Sequence, residues 1–299
     1  MTVFDRRSVR QHRDRAASGL AGHDFLLTEV ASRLLDRLDD VKREFQCVLD
    51  IGANMGMLRD KIEQRSGIEF VVASDLSPVM AFGLGGAALA ADDEALPFAE
   101  NAFDLIVSGL SLHWVNDLPG ALIQIRRALR PDGLFLAALL GGDTLSELRD
   151  VLVEAELEVD KGASPRVSPF LDVREAGALL QRTGFALPVA DSDTVTVTWP
   201  DALALMRDLR GMGEANAVIE RNKTFTRRET IFNAVARYRE RYGDAEGRIP
   251  ATFHVIYLTG WAPHSNQQQA MPRGTATSRL ADALDVTEVS TGEKTLPNS

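Results

Sequence analysis

The chain has 299 residues, 45% hydrophobic and 25% charged, with a formal net charge of −10. That length suits one large domain or a core with an inserted cover, and the acidic balance argues against a nucleic-acid surface as its main business. A single cysteine, Cys47, allows no internal disulfide and predicts a reducing compartment.

The N-terminus is charged from Asp5 onward and lacks an apolar signal core, so a cytoplasmic protein is expected. No apolar run is long enough for a membrane span, although peripheral membrane contact stays open. Residues 4–18 predict a basic helix with Arg6, Arg7, Arg10, Arg13 and Arg15, and Phe4 with the Asp5–Arg6 pair is placed to fold over a pocket. Leu26, Leu27, Val30, Leu34, Leu35 and Leu38 recur at helical spacing and predict an amphipathic helix from about Asp24 to Asp39.

Residues 47–56 organise the rest of the chain. Val48, Leu49 and Ile51 read as a buried strand with Asp50 at its carboxyl end, and a turn with Gly52 and Gly56 leads into a helix from about Met57 to Gln64. A strand running through a glycine turn into a helix opens a doubly wound α/β domain, whose ligand lies at the strand's C-terminal end. The spacing is Gly-x-x-x-Gly rather than Gly-x-Gly-x-x-Gly, and an anionic Asp50 would repel a diphosphate. The same carboxylate suits an amino group and a sulfonium, which points to S-adenosylmethionine (SAM) over a nicotinamide or flavin dinucleotide.

Phe70 to Ala73 predicts a second strand ending at Asp75 and Leu76, where an acid can accept both ribose hydroxyls. Ala91 to Phe98 contains Asp92 and Asp93, which suit an adenine amino group or simply a solvated loop. A weak third strand at 87–90, a fourth at Asp104–Ser108, a helix at about 118–129 and a fifth strand at Leu134–Leu139 come next. Thereafter Thr144-x-x-Glu147 and Thr226-x-x-Glu229 read as capping boxes of helices, with further helices at 173–182 and 201–210. Strands are expected at 194–199 and 252–261. The arginines at 237, 239 and 241 read as a solvated face or a docking surface.

The fold class is therefore α/β: a doubly wound, mostly parallel, seven-stranded sheet with a helical cover. The expected organisation is N-terminal helices over the cofactor pocket (1–45), a SAM-binding core (46–140), completion of the sheet plus a helical substrate cover (141–263) and a polar, mostly disordered tail (264–299). Candidate cofactor residues are Asp50, Gly52, Asn54, Gly56, Asp75, Leu76, Asp92, Asp93 and Ser108. Candidate catalytic residues are His113, which suits a base or a packing residue beside Trp114, and Asp143, which suits catalysis or a helix cap. Only five histidines occur, and no metal is expected.

The core resembles the class I SAM-dependent methyltransferases, among them the biotin-pathway malonyl-carrier methyltransferases, with Asn54 standing where their turn has its middle glycine. Val3–Arg6, Ser111–Pro119, Gly141–Leu145, Ser168–Phe170, Asp208–Glu214 and Gly274–Thr277 resemble more narrowly the respiratory complex I assembly factors of methyltransferase fold. That resemblance implies modification, by hydroxylation or methylation, of an arginine in a subunit of NADH:quinone oxidoreductase (complex I) during assembly. The alternatives are methyl transfer to a small or carrier-bound acyl substrate, and a non-catalytic SAM-binding chaperone. Pocket charge separates the enzyme readings: a carboxylated substrate wants cations, an arginine wants carboxylates such as Asp143, and Arg149, Arg166 and Arg210 can each face inward.

Overall fold

The computed structural model describes residues 2–268, 275, 278–287 and 289. Two N-terminal helices, α1 (Arg6–Ala16) and α2 (Phe25–Asp39), precede an alternating run. That run is β1 (Cys47–Ile51), α3 (Met57–Glu63), β2 (Phe70–Asp75), α4 (Pro78–Gly83), β3 (Ala88–Ala90), β4 (Phe103–Gly109), α5 (Leu118–Ala128) and β5 (Leu129–Leu140). Then come α6 (Ser146–Val159), α7 (Val173–Arg182), β6 (Ala186–Trp199), α8 (Ala202–Gly211), α9 (Arg228–Tyr242) and β7 (Ile249–Trp261).

The seven strands lie in the order β3-β2-β1-β4-β5-β7-β6. Strands β1 to β5 pair in parallel, and β7 is antiparallel to both β5 and β6. Parallel strands are covered on both faces, which is why β1, β4 and β5 read as nearly unbroken apolar runs. Alternation along β1 sends Val48 to one core, with Leu26, Val30 and Leu34 of α2, and Leu49 and Ile51 to the other, with Leu122 and Ile125 of α5. Between β1 and β4 the strand order reverses, which opens a crevice at their carboxyl ends.

The expected capping boxes are not formed. Helix α6 starts at Ser146 behind Leu145, a residue in the left-handed region at φ +53°. Thr144 Oγ1 instead donates to the His254 carbonyl and accepts from the His254 amide, both at 3.0 Å. Glu147 accepts from the hydroxyl and amide of Thr252. Both side chains fasten the start of α6 to β7, because that strand brings unpaired backbone groups within reach. Thr226 likewise accepts from Arg166 Nη1 at 2.8 Å, and α9 begins without a side-chain cap.

Arg237 and Arg241 are not a bare solvated face. Arg241 Nη1 and Nη2 donate to Glu154 at 2.9 and 2.8 Å, and Arg237 pairs with Glu154 and Glu158. These pairs hold α9 on α6. Met1–His264 form one compact unit and Ser265–Ser299 a second. The expected disordered tail falls largely outside the described residues, as does Gly274–Thr277 apart from Thr275, while Leu280–Leu284 form a short helix, α10.

Candidate functional site

Asp50 projects from the carboxyl end of β1 into the crevice and is fully buried. Neither of its carboxylate oxygens has a hydrogen-bond partner among the described residues. Burial pushes its carboxyl up to about 8, against the pull of the Arg59 backbone and guanidinium. The sequence reading took Asp50 as an anion; burial without a partner favours its neutral form, and a cationic group beside it would favour the carboxylate.

The turn beyond it is held in left-handed backbone. Gly52 has φ +67°, and a Cβ there would lie 2.1 Å from Ser111 Cβ. Asn54 adopts φ +50°, a conformation asparagine tolerates, and its Nδ2 donates to the Gly52 carbonyl at 2.9 Å. The side chain thus braces a turn that the methyltransferases it resembles build with glycine. Gly56, at φ +81°, caps α3.

Asp75, at the end of β2, is fully buried. Its Oδ1 accepts from the Ser77 amide at 2.7 Å, and its Oδ2 accepts from the Asn54 amide at 3.0 Å and Arg13 Nη1 at 2.7 Å. The ribose acceptor expected from sequence is therefore engaged by α1 in this conformation. Asp92 and Asp93 are held the same way: Arg6 Nη2 donates to them at 2.6 and 3.4 Å. Burial pushes the Asp93 carboxyl up, and Ser111 Oγ donates to it at 3.1 Å. The solvated-loop reading of these acids does not hold for Asp93, which is 2% exposed.

Leu76 packs beside Phe4, Val9 and Trp114. Ser108 is corrected: its buried Oγ donates to the Ile51 carbonyl at 2.9 Å and fastens β4 to β1. Arg6, Arg13 and Ser111 carry the contacts that sequence reasoning left unassigned. Arg6 and Arg13 lie seven residues apart, two turns of one helix face, which is the signal that α1 presents both to a common partner.

A larger cavity, about 760 Å³, opens under the cover between α6, α8 and α9. Arg166, Arg207, Arg210 and Arg221 line it, and among the described lining residues Glu214 is the carboxylate. Arg166 is neutralised by Glu156, and Arg221 bonds Ser8 Oγ at 2.8 Å and lies 3.6 Å from Asp5. Arg149 turns away to the carbonyls of Gly142 and Thr144.

His113 stands behind this wall. Its Nε2 lies 3.0 Å from Glu214 Oε2, which also accepts from Trp114 Nε1 at 3.0 Å. Among the described residues His113 Nδ1 is buried without a partner, and the ring packs against Trp114 and Phe170. Its position suits orienting Glu214. Asp143 is corrected on both counts: it is exposed outside the lining of this cavity, and its side chain caps no helix, since α6 starts beyond it. No group of three or more His, Cys, Asp or Glu that could hold a metal is found among the described residues.

The chemistry of the crevice fits SAM. Asp50 offers two unpartnered oxygens to a cation, Gly52 keeps the turn open to close approach, and Asp75 and Asp93 stand at the ends of their segments. Residues 49–137 match the family model of the methyltransferase domain. The chain is 42% identical over 288 residues to the arginine-hydroxylase NDUFAF5, mitochondrial, of Danio rerio, covering 94% of this chain and 89% of that protein. It is 34% identical to the malonyl-[acyl-carrier protein] O-methyltransferase of Halorhodospira halophila, covering 91% and 92%. A phosphoethanolamine N-methyltransferase of Haemonchus contortus, solved with S-adenosyl-L-methionine, superposes with a TM-score of 0.53 at 16% identity, over 86% of this chain and 60% of that one. At that identity it shows the shared fold. The expectation of a cytoplasmic protein is overturned, because the arginine-hydroxylases at 40–42% identity are named mitochondrial.

Proposed function

The chain belongs to the family of the mitochondrial arginine-hydroxylases, enzymes built on the SAM-methyltransferase fold, and from that membership we propose that it binds SAM and modifies an arginine of a respiratory complex I subunit during assembly. The observation that carries this reading is the 42% identity, which extends over 94% of the chain and so includes the cover as well as the cofactor core. In this reading Asp75 takes the ribose hydroxyls, Asp93 the adenine amino group and Asp50 the cofactor's amino group, with the Gly52–Gly56 turn beneath. Bound SAM supplies a sulfonium leaving group for methyl transfer, whereas hydroxylation draws its oxygen and oxidising equivalents from a co-substrate.

The chain's own contribution lies in holding the substrate. Glu214 Oε2 is engaged by His113 and Trp114, which leaves Oε1 to receive a guanidinium from the cavity. The two ring donors fix the carboxylate's orientation, and the apolar wall of Leu145, Leu148 and Phe253 accepts the side chain's methylenes. Mass spectrometry of complex I from a strain lacking the gene tests the proposal. One arginine peptide should lose the mass of an oxygen or a methylene; an unchanged peptide map with normal complex I would refute it.

A second reading has its own support. Arg207 and Arg210 line the cavity with no ion-pair partner among the described residues, and such cations favour a carboxylated substrate. Methyl transfer to a carrier-bound malonyl group, as named for the relative at 34% identity, is therefore the alternative that an unchanged map would favour.

A further inference from the structure

Arg13 lies inside the molecule, 3% exposed, with its Nη1 on Asp75 Oδ2 at 2.7 Å. A carboxylate has about four lone-pair positions. Those of Asp75 already serve the Ser77 amide, the Asn54 amide and Arg13. A bidentate diol needs two positions, so one donor must yield. The two amides belong to the turns after β2 and β1 and stay with those turns; the mobile donor is Arg13.

The same helix closes the rest of the crevice. Arg6 holds Asp92 and Asp93, and Asp14 accepts from Ser77 Oγ at 2.5 Å. Beside Asp50, residues Leu27, Val30 and Ala31 of α2 leave a space of only about 20 Å³, room for roughly one water. The closure is also imperfect. Among the described residues Arg13 Nη2 and Asp93 Oδ1 are buried without partners, and a buried polar group left unsatisfied destabilises the state that holds it. A closed state that leaves these groups and both Asp50 oxygens unsatisfied is one that a ligand supplying partners can displace.

The other end of the segment reaches the substrate cavity. The Asp5 amide donates to the Ala217 carbonyl at 2.8 Å and the Ile219 amide to the Val3 carbonyl at 2.9 Å. These contacts tie the start of α1 to the loop after α8, which carries Glu214.

Resting on the reading of this crevice as a SAM site, we propose that α1 is a latch: Arg13 occupies Asp75 in the closed molecule, and the cofactor enters when α1 withdraws and the ribose diol replaces the guanidinium. Withdrawal strains the 217–219 contacts, so cofactor entry is felt at the loop carrying Glu214. By linkage, the factor by which a bound substrate alters cofactor affinity through this loop equals the factor by which the cofactor alters substrate affinity.

The test uses the full chain with S-adenosylhomocysteine as probe. Stopped-flow binding to Arg13→Met should show an association rate at least tenfold above wild type with affinity undiminished. Hydrogen exchange of wild type should show residues 6–16 becoming less protected when the probe is added, the opposite of ordinary ligand protection, and this needs no variant to fold. Slower or weaker binding by Arg13→Met, or greater protection of residues 6–16, would overturn the latch while the SAM reading stands. If neither protein binds the probe, the SAM reading falls and the latch with it.

Discussion

His113 Nε2 and Glu214 Oε2 meet at 3.0 Å across 101 residues of sequence. The contact joins the loop after β4 to the loop after α8, and it sets the one carboxylate on the described wall of the large cavity. Replacing Glu214 by Gln keeps an acceptor for both rings but removes the charge. Arginine modification should fall by tens of fold, the worth of about 1.5–3 kcal/mol in charged hydrogen bonding, with little change in the urea midpoint. Glu214→Ala should also lower stability by about 1–3 kcal/mol, because it leaves the indole and imidazole unpaired. Unaltered peptide modification by Glu214→Gln would remove this residue from the substrate site.

Asp50 makes the cofactor-free protein sensitive to pH. Its folded value of about 8 lies above the ordinary 3.8, so the folded state keeps a proton that the unfolded chain loses. Its contribution is fully present below the unfolded value and is lost as pH rises through the folded one. Asp50→Asn should therefore exceed wild type in stability at pH 8 by a few kcal/mol, because each pH unit between the two values is worth about 1.4 kcal/mol. That advantage should disappear toward pH 4. Thermal melts across that range check it. A constant difference between the two proteins would show that Asp50 ionises freely.

Gly52→Ala should damage both fold and cofactor binding. The residue sits at φ +67°, and the added Cβ would meet Ser111 Cβ at 2.1 Å. The backbone penalty alone is about 1 kcal/mol or more, and Ser111, bonded to Asp93, has to move. Calorimetric titration with SAM should show at least tenfold weaker binding; equal affinity would place the cofactor elsewhere.

Asp75→Ala removes the acceptor proposed for the ribose and strands Arg13. Cofactor affinity should drop at least tenfold, roughly 1.4 kcal/mol. The buried guanidinium left without its partner should cost about 3–5 kcal/mol of stability. Chemical denaturation separates the two effects, because Asp75→Ala combined with Arg13→Met should recover much of the stability and none of the affinity.

Thr144→Val tests the fastening of α6 to β7. It deletes both bonds to the His254 backbone, each 3.0 Å. Urea unfolding should show a loss of about 1–3 kcal/mol, since buried backbone groups go unpaired. A loss of a few tenths would mean that water replaces the hydroxyl.

Much of the frame could be read from the chain because its signals are local. The apolar run around Val48–Ile51, the glycine turn and the leucine spacing of Leu26–Leu38 each fix an element within a few residues. The helix predicted over Val173–Arg182 matches α7 at both ends, since Asp172 caps it and an apolar stripe runs its length. Thr144-x-x-Glu147 shows the limit: the local pattern said cap, but β7, more than a hundred residues on, offered better partners.

The acids of the candidate site were also visible in order along the chain, because Asp50, Asp75 and Asp93 follow strands that sequence periodicity marks. Their partners were not. That Arg13 reaches Asp75, that Ser108 turns to the Ile51 carbonyl and that Glu214 rather than Asp143 faces the large cavity depend on contacts between distant segments. Sequence by itself determined which residues are ionisable and the order of the core strands and helices, since these follow from residue type and period, while β6 starts at Ala186, eight residues before the expected strand. Only the tertiary structure decided which charges meet, because burial takes water away from them and leaves each to find whatever partner the packing supplies.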